Sequence, residues 1–144
     1  MGAPSAAGSG GIFRIARGLP TGAFAFGISC TFAFATELLA AIKAIDIEWH
    51  HGWHSLWLEC DSLCVVHLFR AKCNRVLWTV RQQWLQCLSY VSQMDFRISH
   101  IFREGNAVAD LLAKHGVSAT SFLWWDSSPS FCNNVICDDY SRTV

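Results

Sequence analysis

The spacing of apolar residues changes at Glu37, and this change constrains the fold more than any other feature of the sequence. Before it, the aromatic and β-branched runs GIFRIA and GAFAFGISCTFAF flank the turn-forming segment RGLPTG, which predicts an antiparallel hairpin. After it, apolar side chains recur at helical spacing, at Leu38, Leu39, Ile42, Ile45 and Trp49. A helix capped by Thr36 is therefore predicted, with Lys43, Asp46 and Glu48 largely on its other faces.

Strand-like and helix-like patterns continue to alternate after this helix. LWLEC predicts a strand ending at Asp61, and Ser62 is placed to cap a short helix through LCVVHLF. Residues 76–91 predict an amphipathic helix that buries residues such as Trp84, FRISHIF predicts a strand, and AVADLLAKH predicts a final helix capped by Asn106. The order β, β, α, β, α, α, β, α predicts an α/β domain in which helices cover one mixed sheet.

The ends of the chain have weaker patterns. The first ten residues, MGAPSAAGSG, lack periodicity and predict a loop that makes no strand. After Gly116 the periodic pattern stops, so we expect a domain over residues 1–118. Residues 119–144 are expected to be an aromatic and acidic tail that packs by its aromatics or stays mobile.

Composition excludes several classes of protein. Hydrophobic residues make up 52% and charged residues 15%, which is too apolar for intrinsic disorder, and a net charge of zero does not indicate a basic nucleic-acid-binding protein. The seven cysteines contain no C-x-x-C pair and follow no signal peptide, so an intracellular location, in nucleus or cytoplasm, and cysteines used mainly in packing are expected. The uncharged stretch 18–36 is interrupted by Gly and Pro, which favours strands over a membrane helix.

Three carboxylates stand where predicted elements begin or end. Glu37 opens a helix, Asp61 closes a strand, and Asp110 lies in the first turn of the last helix. Such positions cluster at one rim of a sheet, and carboxylates that converge there would suit Mg²⁺ and two-metal phosphodiester hydrolysis. Taken singly, each acid is better explained without a metal, because acidic residues are common in a first helical turn on account of the helix dipole alone.

The segments ATELLAAIKAI, LWLECDSLCVV and FRISHIFREGNAVADLLAKHG resemble, in order and spacing, the plant ribonuclease H-like or reverse-transcriptase-like domain of non-LTR retrotransposon origin. The resemblance runs from about residue 8 to residue 116. It implies a mixed sheet flanked by helices and Mg²⁺-dependent cleavage of RNA paired with DNA. By resemblance, Glu37, Asp61 and Asp110 are the second, third and fourth metal-site acids, and His100 is the loop histidine that assists proton transfer or product release.

One part of the family pattern has no counterpart in the sequence. In the family, a strand ending in the first metal-site Asp precedes a loop like residues 2–10, whereas no Asp or Glu stands before Glu37 here. The resemblance therefore implies that the first strand, central in the family's sheet, is missing, and that its loss exposes backbone donors and acceptors. A mis-assigned gene start and a degenerate transposon relic both explain this, and weak metal binding and little activity are expected.

A local basic patch is the predicted nucleic-acid surface. No acidic residue lies between Asp61 and Asp95, where two tryptophans, Trp78 and Trp84, accompany four basic residues. The predicted contacts to phosphates and sugars are Arg70, Lys72, Arg75, Arg81 and Asn106. A solvated helix face explains the basic residues equally well. The nearby set His50, His51, His54, Cys60 and Cys64 matches no standard zinc-ligand spacing.

Three functions remain open from the sequence. The first is a ribonuclease H-family nuclease acting on RNA–DNA hybrids, and the second is a non-catalytic remnant that at most binds nucleic acid. The third is a small membrane or interaction protein, which requires a helix rather than strands within residues 18–36. We expect no membrane association, and the sequence does not determine the oligomeric state.

Overall fold

A computed structural model of the chain describes residues 6–15, 19–29, 33–72, 80–102, 106–119, 121–127 and 129–132. Its strands are β1 (Ala6–Arg14), β2 (Pro20–Ser29), β3 (Ser55–Cys60), β4 (Asp95–His100) and β5 (Leu123–Trp125). Its helices are α1 (Ala33–His50), α2 (Leu63–Ala71), α3 (Arg81–Val91) and α4 (Ala107–Gly116), followed by a short 3-10 helix, Ser130–Cys132. The architecture is a mixed α/β fold, as predicted. The described strands form two sheets, however, one antiparallel and one parallel, rather than the one mixed sheet that was predicted.

The chain forms two compact units. The terminal unit comprises Met1–Thr36 and Arg103–Val144, and the central unit comprises Glu37–Phe102. The terminal unit holds β1, β2, β5 and α4, whereas β3, β4, α2, α3 and most of α1 belong to the central unit.

The terminal unit contains an antiparallel sheet in the order β1–β2–β5. The pairing of β1 with β2 confirms the predicted hairpin. The prediction that the first ten residues form no strand is wrong, because β1 begins at Ala6 and Gly10 pairs with Ala25 of β2. The expectation for residues 1–5 lies outside the described residues.

Close packing of α4 explains why such a glycine-rich segment is a strand. A Cβ atom on Gly8 would lie 2.0 Å from the Ala113 carbonyl oxygen, and one on Gly10 would lie 2.6 Å from Leu112 Cβ. The missing side chains therefore let the backbone of α4 lie directly on β1. Strand propensity is poor for glycine, but this tertiary contact overrides it.

The core of the terminal unit lies between β2, α4 and the 3-10 helix. Ala23, Val108, Leu112 and Cys132 are buried together, and Leu111 packs at the edge of the cluster. The segment after residue 118 contributes Cys132 to this core and β5 to the sheet. The domain boundary at residue 118 stays a prediction.

Helix α1 differs from its predicted form in two respects. It begins at Ala33, so Thr36 lies inside the helix and is not its cap, and the Thr36 carbonyl accepts a hydrogen bond from Ser9 Oγ at 2.8 Å. Glu37 accordingly stands in the second turn rather than at the helix start. Glu48, predicted on an outer face, is only 4% exposed, because apolar side chains are buried around most of this helix.

In the central unit, β3 and β4 are parallel, in a register that runs from Ser55 opposite Asp95 to Cys60 opposite His100. Both strands were predicted. Helix α2 follows directly, and its predicted cap is confirmed by the Val65 N–H, which donates to Ser62 Oγ at 3.4 Å. The predicted start of the next helix at residue 76 lies outside the described residues, and α3 is described from Arg81.

No helix in the described part of the chain is long and apolar enough to cross a membrane. Within the uncharged stretch 18–36, the described residues form β2 and the first turn of α1. Among the described strands, β1 is paired on one edge only, and β3 and β4 pair only with each other.

Candidate metal and nucleic-acid site

The end of β3 and the second turn of α1 bring three potential metal ligands together. One ligand atom each from Glu37, Cys60 and Asp61 lies within 4.8 Å of the other two. The two carboxylates are half-buried, and Cys60 is 9% exposed. All three residues belong to the central unit.

Local structure holds Asp61 between two ordered elements. Strand β3 ends at Cys60, and Ser62 already caps α2, so Asp61 is the single residue that joins strand to cap. Its backbone is therefore restrained on both sides, which fixes the position of the Cα atom from which the carboxylate side chain extends. The predicted position of Asp61 at a strand end is confirmed.

The thiol of Cys60 is strongly affected by its surroundings. Burial is the main cause that raises its pKa to about 11, and the carboxylates of Glu37 and Asp61 raise the pKa further, whereas a backbone hydrogen bond from Ser62 lowers it. The thiol is therefore protonated at neutral pH when no cation is bound. The sequence interpretation treated this cysteine as packing, although its position directly before Asp61 was a usable signal.

His100 lies beside the same strand end. It is the last residue of β4, is exposed, and stands opposite Cys60 in the parallel register. Its Nε2 lies 3.2 Å from the Asp61 backbone oxygen, and since a carbonyl only accepts, Nε2–H is the donor. In the neutral ring this leaves Nδ1 able to accept a proton. The exposure and position agree with expectation, and the role stays a prediction.

Asp110 belongs to the terminal unit. It lies in the first turn of α4, as predicted, and its carboxylate pairs with Lys114 Nζ at 3.1 Å. Its convergence with Glu37 and Asp61 stays a prediction. Asn106 occupies the N-cap position of α4, but its side chain makes no capping hydrogen bond, so that part of the prediction is wrong.

The predicted basic patch is placed in part. Arg70 is exposed and donates from Nη2 to the Ile98 carbonyl at 3.2 Å, Lys72 closes α2 in a left-handed conformation, and exposed Arg81 begins α3. Trp84 is fully buried, as the amphipathic pattern of its helix predicts, and it therefore does not belong to the surface patch in which the sequence also grouped it. Arg75 and Trp78 lie outside the described residues.

Residues 2–116 match the model of the family described as reverse transcriptase-like. The chain belongs to this family. The match includes all four candidate site residues, Glu37, Asp61, His100 and Asp110. No curated protein sequence matches the chain.

Solved structures show that this reverse transcriptase-like chain has the fold of ribonuclease H domains. The N-terminal RNase H domain of a Mycobacterium tuberculosis protein is similar over 78% of this chain and 91% of that chain, with 18% identity and a TM-score of 0.58. RNase H1 from the archaeon Halobacterium salinarum is similar over 78% of this chain and 96% of that chain, with 18% identity and a TM-score of 0.57. Prototype foamy virus protease–reverse transcriptase is similar over 81% of this chain and 21% of that chain, with 17% identity and a TM-score of 0.52.

The reverse transcriptase-like chain offers two kinds of ligand to a cation. Oxygen ligands are those that Mg²⁺ prefers, and Glu37 and Asp61 supply them. The thiol of Cys60 does not suit a hard cation. Among the described residues no other group of potential ligands converges in this way, and His50 and His51 instead lie against the backbone carbonyls of Asp46 and Ile47.

Proposed function

We propose that this chain is a ribonuclease H-type domain that hydrolyses the RNA strand of RNA–DNA hybrids with Mg²⁺. The observation that carries the proposal is the approach of the Glu37 and Asp61 carboxylates within 4.8 Å at the end of β3, with His100 beside them. Family membership over residues 2–116 and similarity to proteins described as RNase H and RNase H1 support it.

The roles of the side chains follow from their chemistry. Glu37, Asp61 and Asp110 would hold the cations, and two bound Mg²⁺ ions would supply Lewis-acid activation of water and stabilise the leaving oxygen. His100 is exposed, and with Nε2–H directed at Asp61 its Nδ1 can take up a proton and release it to solvent. The Asp61 carbonyl thereby sets the orientation of the histidine ring.

Substrate binding is proposed for the predicted basic patch. Arg70, Lys72, Arg75 and Arg81, with Asn106, would contact phosphates and sugars and so recognise the shape of a hybrid rather than its sequence. Arg70 carries most of the structural support, because its guanidinium lies against β4 at Ile98, two residues before His100.

We further propose that these 144 residues hydrolyse hybrids slowly or not at all. No acidic residue precedes Glu37, and among the described strands the outer edges of β1 and β3 are unpaired. A plant retrotransposon origin, an intracellular location and a domain over residues 1–118 belong to the same proposal. The same two observations favour a second candidate, a non-catalytic remnant that at most binds nucleic acid.

Cleavage of a labelled RNA–DNA hybrid tests both candidates. The 144-residue chain and a version with an added N-terminal strand ending in Asp would be assayed with Mg²⁺ and with chelator. We expect cleavage by the extended chain alone, loss of that cleavage in Asp61→Asn, and little change in Asp95→Asn, which alters an exposed acid at the start of β4. Chelator-sensitive cleavage by the unextended chain would show that three acids suffice, and inactivity of the extended chain would favour the remnant.

A further inference from the structure

The ligand cluster contains a sulfur atom where a magnesium site needs oxygen. Cys60 Sγ and carboxylate oxygens of Glu37 and Asp61 all lie within 4.8 Å of one another, and Cys60 is nine-tenths buried. Thiolate ligands select Zn²⁺ and related soft cations, whereas Mg²⁺ selects carboxylate, carbonyl and water. We propose that this cluster binds a thiophilic divalent cation of the Zn²⁺ and Cd²⁺ class, in competition with Mg²⁺.

The spacing of the three ligand atoms suits such an ion. With a Zn–S bond of about 2.3 Å and Zn–O bonds of about 2.1 Å, ligand atoms around a tetrahedral zinc ion lie roughly 3.5 Å apart. The atoms of the cluster are within 4.8 Å before any ion is bound, so small side-chain rotations bring them to this distance. Three protein ligands leave the fourth position to water, as in zinc sites that are open to substrate.

Charge also favours the ion once it is bound. Binding breaks the S–H bond of Cys60, the proton goes to solvent, and the thiolate sulfur donates its electron pair to the cation. A thiolate and two carboxylates carry three negative charges, and a divalent cation offsets two of them. The carboxylate oxygens of Glu37 and Asp61, which lie within 4.8 Å of the sulfur, then share the cation with it.

The neighbouring cysteine provides a comparison within the same helix–strand junction. Cys64 stands in the first turn of α2, is exposed, and is not part of the cluster. A thiol without carboxylate partners lacks the additional ligands that make a site. Cys64→Ser therefore removes one thiol from the chain and leaves the proposed site intact.

The inference rests on the site of the proposed function, and it has a consequence for activity. A cation held by Cys60 occupies the carboxylates that Mg²⁺ needs, so micromolar Zn²⁺ should inhibit hybrid cleavage by any active form. Cys60→Ser replaces the soft ligand by a hydroxyl oxygen, which hard cations accept. This substitution should relieve inhibition by Zn²⁺ without removing dependence on Mg²⁺.

Titration of the 144-residue chain with Cd²⁺ tests the inference without any activity. The readout is the ultraviolet sulfur-to-cadmium charge-transfer band, measured for the wild-type chain, Cys60→Ser and Cys64→Ser, with circular dichroism to verify folding. We expect Cys60→Ser to weaken the tight phase of Cd²⁺ binding by about tenfold or more, because loss of a residue that only supports a metal ligand already weakens metal binding by about tenfold. Cys64→Ser should bind Cd²⁺ as tightly as the wild-type chain does.

A second variant covers the case in which Cys60→Ser does not fold. Glu37→Gln keeps the thiol and removes one carboxylate, so it should weaken Cd²⁺ binding by about tenfold. In the wild-type chain, excess Mg²⁺ should compete with Cd²⁺ for the site. Equal Cd²⁺ binding by the wild-type chain and both variants would overturn the inference. Because the band reports metal binding alone, its loss in Cys60→Ser supports the inference even if no form of the chain cleaves hybrids.

Discussion

The two units hold their sheets against helices in different ways. In the terminal unit, glycines of β1 allow α4 to approach closely: a Cβ on Gly8 would lie only 2.0 Å from the carbonyl oxygen of Ala113. In the central unit, rings fill the space, and the centroid of Phe69 lies 4.7 Å from that of Trp84 and 5.6 Å from that of Phe96. We therefore expect an added side-chain atom on β1 to destabilise the terminal unit, and removal of an aromatic ring to destabilise the central unit.

The sheets also differ in how completely they are covered. Along β3, residues alternate between exposed and half-buried, and Trp57 is 63% exposed on the open face. Parallel strands are usually buried on both faces, so this pair gains less from burial than such strands normally do. In the antiparallel sheet, Ala23, Phe24 and Ala25 of β2 are all buried. The central unit therefore depends on one covered face.

Removal of the central ring should have the largest effect. Trp84→Ala should lower the free energy of unfolding by about 3–5 kcal/mol, because the fully buried indole leaves a cavity against Phe69. Urea denaturation followed by circular dichroism measures this loss. Leu85→Ala changes the exposed neighbour and should cost less than about 0.5 kcal/mol. Equal losses in the two variants would contradict ring packing as the basis of this unit.

An added methyl group tests the terminal unit. Gly8→Ala should lower the free energy of unfolding by about 3 kcal/mol, because the new Cβ meets backbone atoms that cannot rotate away. Gly27→Ala is the matched control, since its Cβ would lie 3.0 Å from the nearest atoms, the carbonyl oxygens of Gly116 and Ala119, and should cost about 1 kcal/mol. Thermal unfolding of both variants decides the order, and a harmless Gly8→Ala would show that α4 does not lie directly on β1.

The buried acid of α1 should make the central unit sensitive to pH. Burial raises the pKa of Glu48 from 4.5 to about 7, so the folded state keeps a proton that the unfolded state releases. Stability should therefore fall as pH rises between these values, by at most about 3 kcal/mol.

Substitution of this acid separates its contribution from other titrations. Glu48→Gln should be more stable than the wild-type chain at pH 8 and nearly equal to it at pH 4, because the amide stays neutral throughout. Glu59→Gln, at an exposed position of β3, should show no such difference between the two pH values. Denaturant unfolding at both pH values measures the effect. If the free energies of unfolding of Glu48→Gln and the wild-type chain differed by the same amount at both pH values, the raised pKa of Glu48 would be contradicted.

The open face of the parallel pair should give the smallest effect. Trp57→Thr removes a mostly exposed ring whose Nε1 donates to Ser99 Oγ at 2.7 Å, and it should change the free energy of unfolding by less than about 1 kcal/mol. Tyr90→Ala is the comparison variant, because the ring that it removes, unlike that of Trp57, stacks on another ring: the centroids of Tyr90 and Trp49 lie 4.7 Å apart. A loss at Trp57 as large as that of Trp84→Ala would mean that this face is covered.

Much of the fold was determined by local pattern. The hairpin, β3, the Ser62 cap and β4 are set by alternation and by turn or capping residues that lie within a few positions of one another. The approach of Glu37 to Asp61 could be expected from their places near element ends and from family resemblance. The helices and strands need only information carried by neighbouring residues, whereas the approach of the two acids was expected from the resemblance.

Other features depended on what lies opposite a residue in space. Gly8 and Gly10 are strand residues because α4 covers them, and Glu48 is buried although its neighbours along the helix suggested an outer face. Hydrophobic spacing records which side a residue favours, but it does not record how close the neighbouring element comes.

The candidate site divides in the same way. The sequence by itself determined which oxygen ligands are available, since Asp and Glu residues near the ends of predicted elements can be identified directly in it. Only the tertiary structure decided that Cys60 joins Glu37 and Asp61. The face to which the side chain of a strand's last residue points depends on the pleat of the strand and on the helix packed against it. The sequence does not distinguish a cysteine that fills a core from one that faces two carboxylates, because the difference depends on which side chains the folded chain places within a few ångströms of the thiol.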